Sequence, residues 1–190
     1  MGRETEKSLE EMTLEELWQL FPIQLEEHNP EWALWYEEEL CRLVSLLGSH
    51  IARIDHIGST PVVGLTAKPI VDILLQTSSD SGVDKVKATL ISDGWLVMAE
   101  QLELGELDLN KGYTVQGFAE KVYHLHVRRE GDWDEIRFRD FLMGHPDAAS
   151  QYAELKKRLF LMYEHNRDAY TAAKGDFVRS CVAKARSAVL

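Results

Sequence analysis

The chain has 190 residues, 45% hydrophobic and 28% charged, which suits one full core and a single domain carrying an N-terminal extension. Its net charge of −11 is concentrated at the front: residues 1–40 hold twelve Asp/Glu against two Lys/Arg, and the other 150 residues are nearly neutral. This excludes a long basic stripe for duplex nucleic acid but leaves room for a local basic pocket. No apolar run approaches the roughly 18 residues of a membrane span, and the glutamate-rich start lacks a signal-peptide layout, so the expected location is cytoplasmic, with no membrane partner.

In chain order, SLEEMTLEELWQLFP predicts a short amphipathic helix ended by Pro22, with Leu9, Met12, Leu17, Leu20 and Phe21 on one side. Residues 1–27 read as an acidic helical extension, which can pack on the sheet, cover a neighbour's site in a homodimer or engage a partner; residues 28–190 read as the working domain. Packing is preferred because Trp18, Leu20 and Phe21 need an apolar surface. In HNPEWALWYEEELCRLVSLLG, Asn29 caps a helix that places Trp32, Tyr36, Leu40, Leu43 and Leu47 at helical spacing, and Gly48 ends it. HIARIDHIG alternates as a strand, TPVVGLTAKP is a loop, IVDILLQ is a second strand bounded by TSSDSG, VDKVKATLISDG is a helix, and WLVMAEQ is a short strand.

LELGELDLNKGYTVQGFAE predicts one strand with flanking loops, and NKGYT lies in a loop. KVYHLHVRR alternates most clearly, with Tyr123, Leu125 and Val127 on one side and His124, His126 and Arg128 on the other. Three helical stretches follow, DWDEIRFRDFLMG, PDAASQYAELKKRLFLMYEH and NRDAYTAAKGDFVRSCVAKARSAVL, the second with a stripe of Tyr152, Leu155, Leu159 and Met162. This order predicts an α+β domain on a small mixed sheet, with N-terminal helices and a C-terminal helical region. Cys41 and Cys181 lie outside any CxxC pattern and read as two buried free thiols.

The chemistry concentrates in HIGSTPVVGLTAKPIVDILLQ. Asp72 interrupts an otherwise apolar strand, so its carboxylate must be paired, hydrogen-bonded or bound to a metal. Gly58, Ser59 and Thr60 form a tight turn that can offer N–H groups and hydroxyls to a phosphate, and Lys68 stands at the entrance of the next strand. A capped structural loop with a salt-bridged aspartate fits the same spacing. These motifs, together with NKGYT, YHLHV, FRDFLMGHPDAASQYAELK and RDAYTAAKGDFV, resemble the GrpB family from about Phe21 to the C-terminus.

The resemblance implies a nucleotidyltransferase-superfamily fold, in which a Gly-Ser pair precedes a metal-binding Asp-x-Asp and a third acid lies on a later strand. It also implies a family of mostly uncharacterised bacterial proteins, some fused to dephospho-CoA kinase. Here Gly58 and Ser59 match the pair and Asp72 the first aspartate, but Leu74 occupies the partner position and YHLHV carries no acid. His124 and His126, two apart on one strand face, offer a substitute: with Asp72 they can hold a divalent metal, Zn or Mn more readily than Mg, or serve as acid and base.

Lys111 in NKGYT and Arg139 in FRDF are further candidates for phosphate contact. Arg167, Tyr170 and Lys174 share a helical face that forms either a cationic wall or a solvated surface. The leading expectation is a nucleotidyltransferase-like protein that binds a nucleotide or other phosphorylated small molecule. The alternatives are a catalytically inactive nucleotide-binding or interaction module, and a metal-dependent hydrolase using Asp72, His124 and His126.

Overall fold

The computed structural model describes residues 7–78 and 82–187; the expectations for residues 1–6, for 79–81 of the TSSDSG turn and for 188–190 lie outside them. Along the chain run α1 (Leu14–Leu20), α2 (Glu31–Leu47), β1 (Ile51–Ile57), β2 (Val71–Thr77), α3 (Gly82–Ser92) and β3 (Leu96–Gln101). Then come β4 (Glu106–Thr114), β5 (Gly117–Arg129), α4 (Asp134–Gly144), α5 (Pro146–Tyr163), α6 (Arg167–Ala173) and α7 (Gly175–Ser187). The five strands form one mixed sheet in the order β1-β2-β5-β4-β3, antiparallel except for the parallel pair β2 and β5. This is the α+β architecture that the element order predicts.

A strand covered on both faces reads as a continuous apolar run, and β2 does: Val71, Ile73, Leu74 and Leu75 are all 0% exposed. One face of the sheet packs under α2 and α3, where Trp32, Leu43, Val86 and Leu90 meet Ile73, Leu75, Leu125 and Val127. Burying each such side chain stabilises the fold by roughly 1.5–3 kcal/mol. A second apolar cluster joins the C-terminal helices to the loop after β1, through Phe138 and Leu142 of α4, Tyr152 of α5, Val182 of α7, and Val62 and Leu65.

The predicted first helix is divided. A 3-10 turn (Leu9–Glu11) precedes α1, because Thr13 starts a new helix: its hydroxyl accepts from the Glu16 N–H while the Glu16 carboxylate accepts from the Thr13 N–H. Past α1, Phe21 is buried with its ring centre 4.8 Å from that of Tyr113 and 5.0 Å from that of Phe118. Reciprocal backbone hydrogen bonds between Glu26 and Ala67, of 2.8 and 2.9 Å, tie this N-terminal segment to the loop before β2.

Other expectations need correction. The stretch read as one strand is a hairpin of β4 and β5, and NKGYT belongs to β4 rather than to a loop. The last predicted helix is two, α6 and α7, broken where Gly175 follows Lys174, since glycine is among the poorest helix formers. Cys181 is buried but Cys41 is exposed; both are free thiols. On α5 the buried positions are Tyr152, Lys156 and Leu159, while Met162 faces solvent.

Candidate functional site

The parallel register of β2 and β5 sets Asp72 opposite His124 and Leu74 opposite His126. Side chains alternate across a strand, so Asp72, His124 and His126 share the face turned away from α2 and α3. On the far side of β5, β4 places Asp108 opposite His126 and Asn110 opposite His124. The register then slips between Lys111 and Tyr113 at Gly112, whose φ is 90° and where an added Cβ would lie 2.3 Å from the Lys121 carbonyl oxygen. Such a bulge re-aims the residue after it, and Tyr113 comes onto the face that holds the histidines. The Gly58 turn approaches from the opposite side. Its φ is 75°, and a Cβ there would stand 2.4 Å from Asp72 Oδ2, so only glycine lets this backbone meet the carboxylate.

Hydrogen bonds then link these groups into one chain. His124 Nδ1 lies 2.9 Å from Asp72 Oδ1, and its Nε2 lies 2.9 Å from the Tyr113 hydroxyl and 2.8 Å from Arg167 Nη2. Arg167 Nη1 donates to the Tyr113 hydroxyl at 2.7 Å. Because Arg167 can only donate, Nε2 is the acceptor, and the ring is the neutral tautomer with its proton on Nδ1 facing Asp72. Burial supports this by pushing His124 down to about 4, against the opposing pull of Asp72.

His126 differs. Burial lowers it too, but a hydrogen bond to Asp108 at 2.9 Å and the charge of Asp72, 3.9 Å from its Nε2, raise it to about 9, so an imidazolium stands between two carboxylates. Arg128 Nη2 also donates to Asp108 Oδ1, at 2.8 Å. Burial acts to raise the Asp72 carboxyl, yet the hydrogen bond with His124 and the nearby His126 hold it well below the usual carboxylate range.

Asp72, His124 and His126 line a cleft of about 650 Å³ together with Gly58, Ser59 and residues of α5 and α6. Four cationic side chains, Lys68, Lys156, Arg167 and Lys174, share it. Lys156 is 3% exposed; its ammonium donates to Ser59 Oγ at 3.1 Å and to the Thr66 carbonyl. Lys68 and Lys174 lie over the Tyr170 ring at 5.9 and 4.5 Å from its centre. Burial drives all three lysines down, Lys156 to about 7, Lys174 to about 8 and Lys68 well below its ordinary value, and mutual repulsion adds to it. The only carboxylates lining the cleft among the described residues are Asp72 and Asp168, and Asp72 is already engaged by the histidines. Basic groups thus outnumber acidic ones in a partly dehydrated space, which favours an anion that brings protons onto the lysines.

Gly58, Ser59, Lys68, Asp72, His124 and His126 therefore line one cleft. Thr60 does not: it is 2% exposed, with its hydroxyl 2.8 Å from His56 Nε2. Arg139 stands behind the turn, where Nη1 donates to Asp55 at 3.2 Å and to the His56 carbonyl at 2.9 Å. Lys111 projects from the other face of the sheet, paired with Glu39 at 2.8 Å and Asp93 at 3.0 Å. Three contributors escaped the sequence reading: Tyr113, Asp108 and Lys156. Only Lys156 left a trace, as a lysine four residues after Tyr152 on the inward stripe of α5.

The sequence suggests a divalent ion at Asp72, His124 and His126, with the histidines in place of the acids that the resemblance implies. As arranged, both ring nitrogens of His124 are engaged and His126 Nδ1 faces Asp108, which leaves the Asp72 carboxylate and His126 Nε2. Among the described residues, no group of three or more His, Cys, Asp or Glu side chains is placed to hold a metal ion. Two remaining donors, one of them on a protonated imidazole, do not fit such an ion.

Fold and site together define an α+β protein with a mixed five-stranded sheet and a cationic cleft beside its one parallel strand pair. The family model described as GrpB protein matches residues 22–184, and the chain belongs to the GrpB family. It is 29% identical over 80% of its length to the glutamate-rich protein GrpB of Alkalihalophilus pseudofirmus, covering 88% of that protein. It is also 29% identical over 84% of its length to the UPF0157 protein YqkA of Bacillus subtilis, of which it spans 46%, about half. The crystal structure of the conserved protein GrpB from Enterococcus faecalis superimposes with a TM-score of 0.75 at 28% identity, covering 85% of this chain and 96% of that one.

Proposed function

We propose that the protein has a nucleotidyltransferase-type architecture and binds a nucleotide or other phosphorylated small molecule in the cleft between the Gly58-Ser59 turn and α5–α6. The observation that carries this reading is the convergence of Lys68, Lys156, Arg167 and Lys174 on a space whose one central carboxylate is already taken up by histidines. Phosphate oxygens would draw protons onto the depressed lysines and receive charge-assisted hydrogen bonds. The turn before β2 lets phosphate approach the backbone at Gly58. Asp72 and His124 would act by holding the Arg167 guanidinium in place through His124 Nε2.

In this reading the protein's own cations neutralise the phosphate, which favours a nucleotide-binding module over metal-dependent nucleotidyl transfer or hydrolysis. A thermal-shift screen over nucleotides, coenzyme A precursors and pyrophosphate, each with and without Mg²⁺, Mn²⁺ or Zn²⁺, tests it, because ligands that bind only the native state raise the melting temperature. Phosphorylated ligands are expected to stabilise the protein in the presence of chelator. Stabilisation only with a divalent ion, lost in Asp72→Ala, would instead favour transferase chemistry. No stabilisation by any phosphorylated compound would sink the reading.

A further inference from the structure

A second cavity, of about 170 Å³, adjoins the cationic cleft; Lys68, Ile70 and Arg167 belong to the walls of both. Its chemistry is different. Phe21, Ile23, Ile70 and Val122 are buried in its walls, and Trp35 and Phe118 are half-buried there. The N-terminal segment supplies one side, from Phe21 to Glu26, held by its backbone pairing with Ala67. At the outer rim stand Gln24, Glu26 and Glu120, all exposed.

We infer that this cavity receives the heterocyclic ring of the ligand whose phosphate occupies the cleft, so that the ligand class is nucleotides rather than inorganic or sugar phosphates. This rests on the phosphate-binding reading of the cleft. Three features commit the cavity to a ring. Its apolar and aromatic walls reward a flat hydrophobic group and give nothing to phosphate oxygens. Glu26 and Glu120 at the rim repel phosphate and can accept N–H groups, which directs the anionic end of a two-part ligand toward Lys68 and Arg167. The shared walls make the two spaces neighbours, with the Lys68 ammonium beside Tyr170 on the cleft side.

The wall is also joined to the chemistry of the cleft. The Phe21 and Phe118 rings pack on Tyr113, whose hydroxyl touches His124 and Arg167. A ring seated against them would press on the group that positions the arginine. The N-terminal segment thus acquires a role beyond packing, as one side of a ring-binding site.

The test is calorimetry on the full chain with inorganic pyrophosphate, ribose 5-phosphate and the four common nucleoside 5′-monophosphates. Wild-type protein should bind at least one nucleotide about tenfold or more tightly than ribose 5-phosphate, which lacks only the ring. Phe118→Ala, which removes a wall, and Ala119→Trp, which plugs the exposed rim without truncating the core, should both abolish that preference. Ala119→Trp should bind ribose 5-phosphate and pyrophosphate within about twofold of wild type, and both variants should keep the wild-type circular dichroism spectrum. Equal affinity for ribose 5-phosphate and every nucleotide, or a preference that survives both variants, would overturn the ring site while leaving the cleft reading intact. Failure of every probe to bind, pyrophosphate included, would overturn the cleft reading and the ring site with it.

Discussion

The two faces of one sheet are built on opposite rules. Under α2 and α3, Ile73, Leu75, Leu125 and Val127 pack against aliphatic and aromatic side chains with almost no solvent exposure. On the other face the same strands carry Asp72, His124 and His126 beside the buried Leu74, and the polar three share their cleft with four basic side chains. Period-2 alternation makes this possible: one strand can turn apolar residues to one face and polar cleft residues to the other. The dry face supplies the free energy that holds buried cations in place on the wet one.

The comparison can be broken most severely at the dry face. Leu125→Ala should cost about 2–5 kcal/mol of stability, read by urea denaturation, because the well-packed site collapses only partly around the cavity. A loss below about 1 kcal/mol would mean that the α2–α3 face is not the main core. Next, Lys111→Met should cost roughly 1–3 kcal/mol, since it strips Glu39, only 6% exposed, of its cationic partner. Phosphate-ligand affinity should not change, and a loss of binding would bring Lys111 back as a cleft residue.

Lys174→Met should do the reverse, leaving the melting temperature unchanged or slightly higher and weakening phosphate ligands about tenfold, roughly 1.4 kcal/mol. A clear drop in melting temperature would mark Lys174 as structural.

The smallest expected effect is in pH. Lys174 falls to about 8 in the folded chain, against an ordinary value of 10.5. Its burial penalty is therefore full below pH 8 and relieved as pH rises toward 10.5, so any stability advantage of Lys174→Met should shrink over that window. His126 works the other way: raised from 6.5 to about 9, it contributes full stability below pH 6.5 and loses it as pH rises through 9. The difference between wild type and variant isolates the lysine from this opposing trend. In wild type, phosphate affinity should fall between pH 6 and pH 9 as Lys156, at about 7, and Lys174 lose their protons.

Much of this arrangement was legible in the chain. Asp72 inside an apolar run, and two histidines two residues apart, mark one face of each strand, and the parallel register of β2 and β5 brings those faces together. What escaped depends on tertiary detail. Tyr113 was hidden because the Gly112 bulge reverses the alternation at that point, and Lys111, one residue before the bulge, was assigned to the cleft when it belongs to the other face. Asp108 was hidden because β4 pairs with β5 in a hairpin whose glycines read as loop. Lys156 carries no signal of its own in the sequence, since a lysine on an inward stripe makes sense only once Ser59 and the Thr66 carbonyl are seen beside it.

Asp72 and His124 are 52 residues apart in the chain yet hydrogen-bonded across a parallel strand pair. Parallel pairing cannot form by local zippering. It requires closing the long crossover through α3, β3 and β4, which costs chain entropy and slows the pairing. The cleft is therefore expected to assemble late in folding, after most local structure. In a refolding experiment, ligand-binding competence should return with the slowest phase, behind the helical circular dichroism signal, which makes ligand binding a sensor of the completed chain topology.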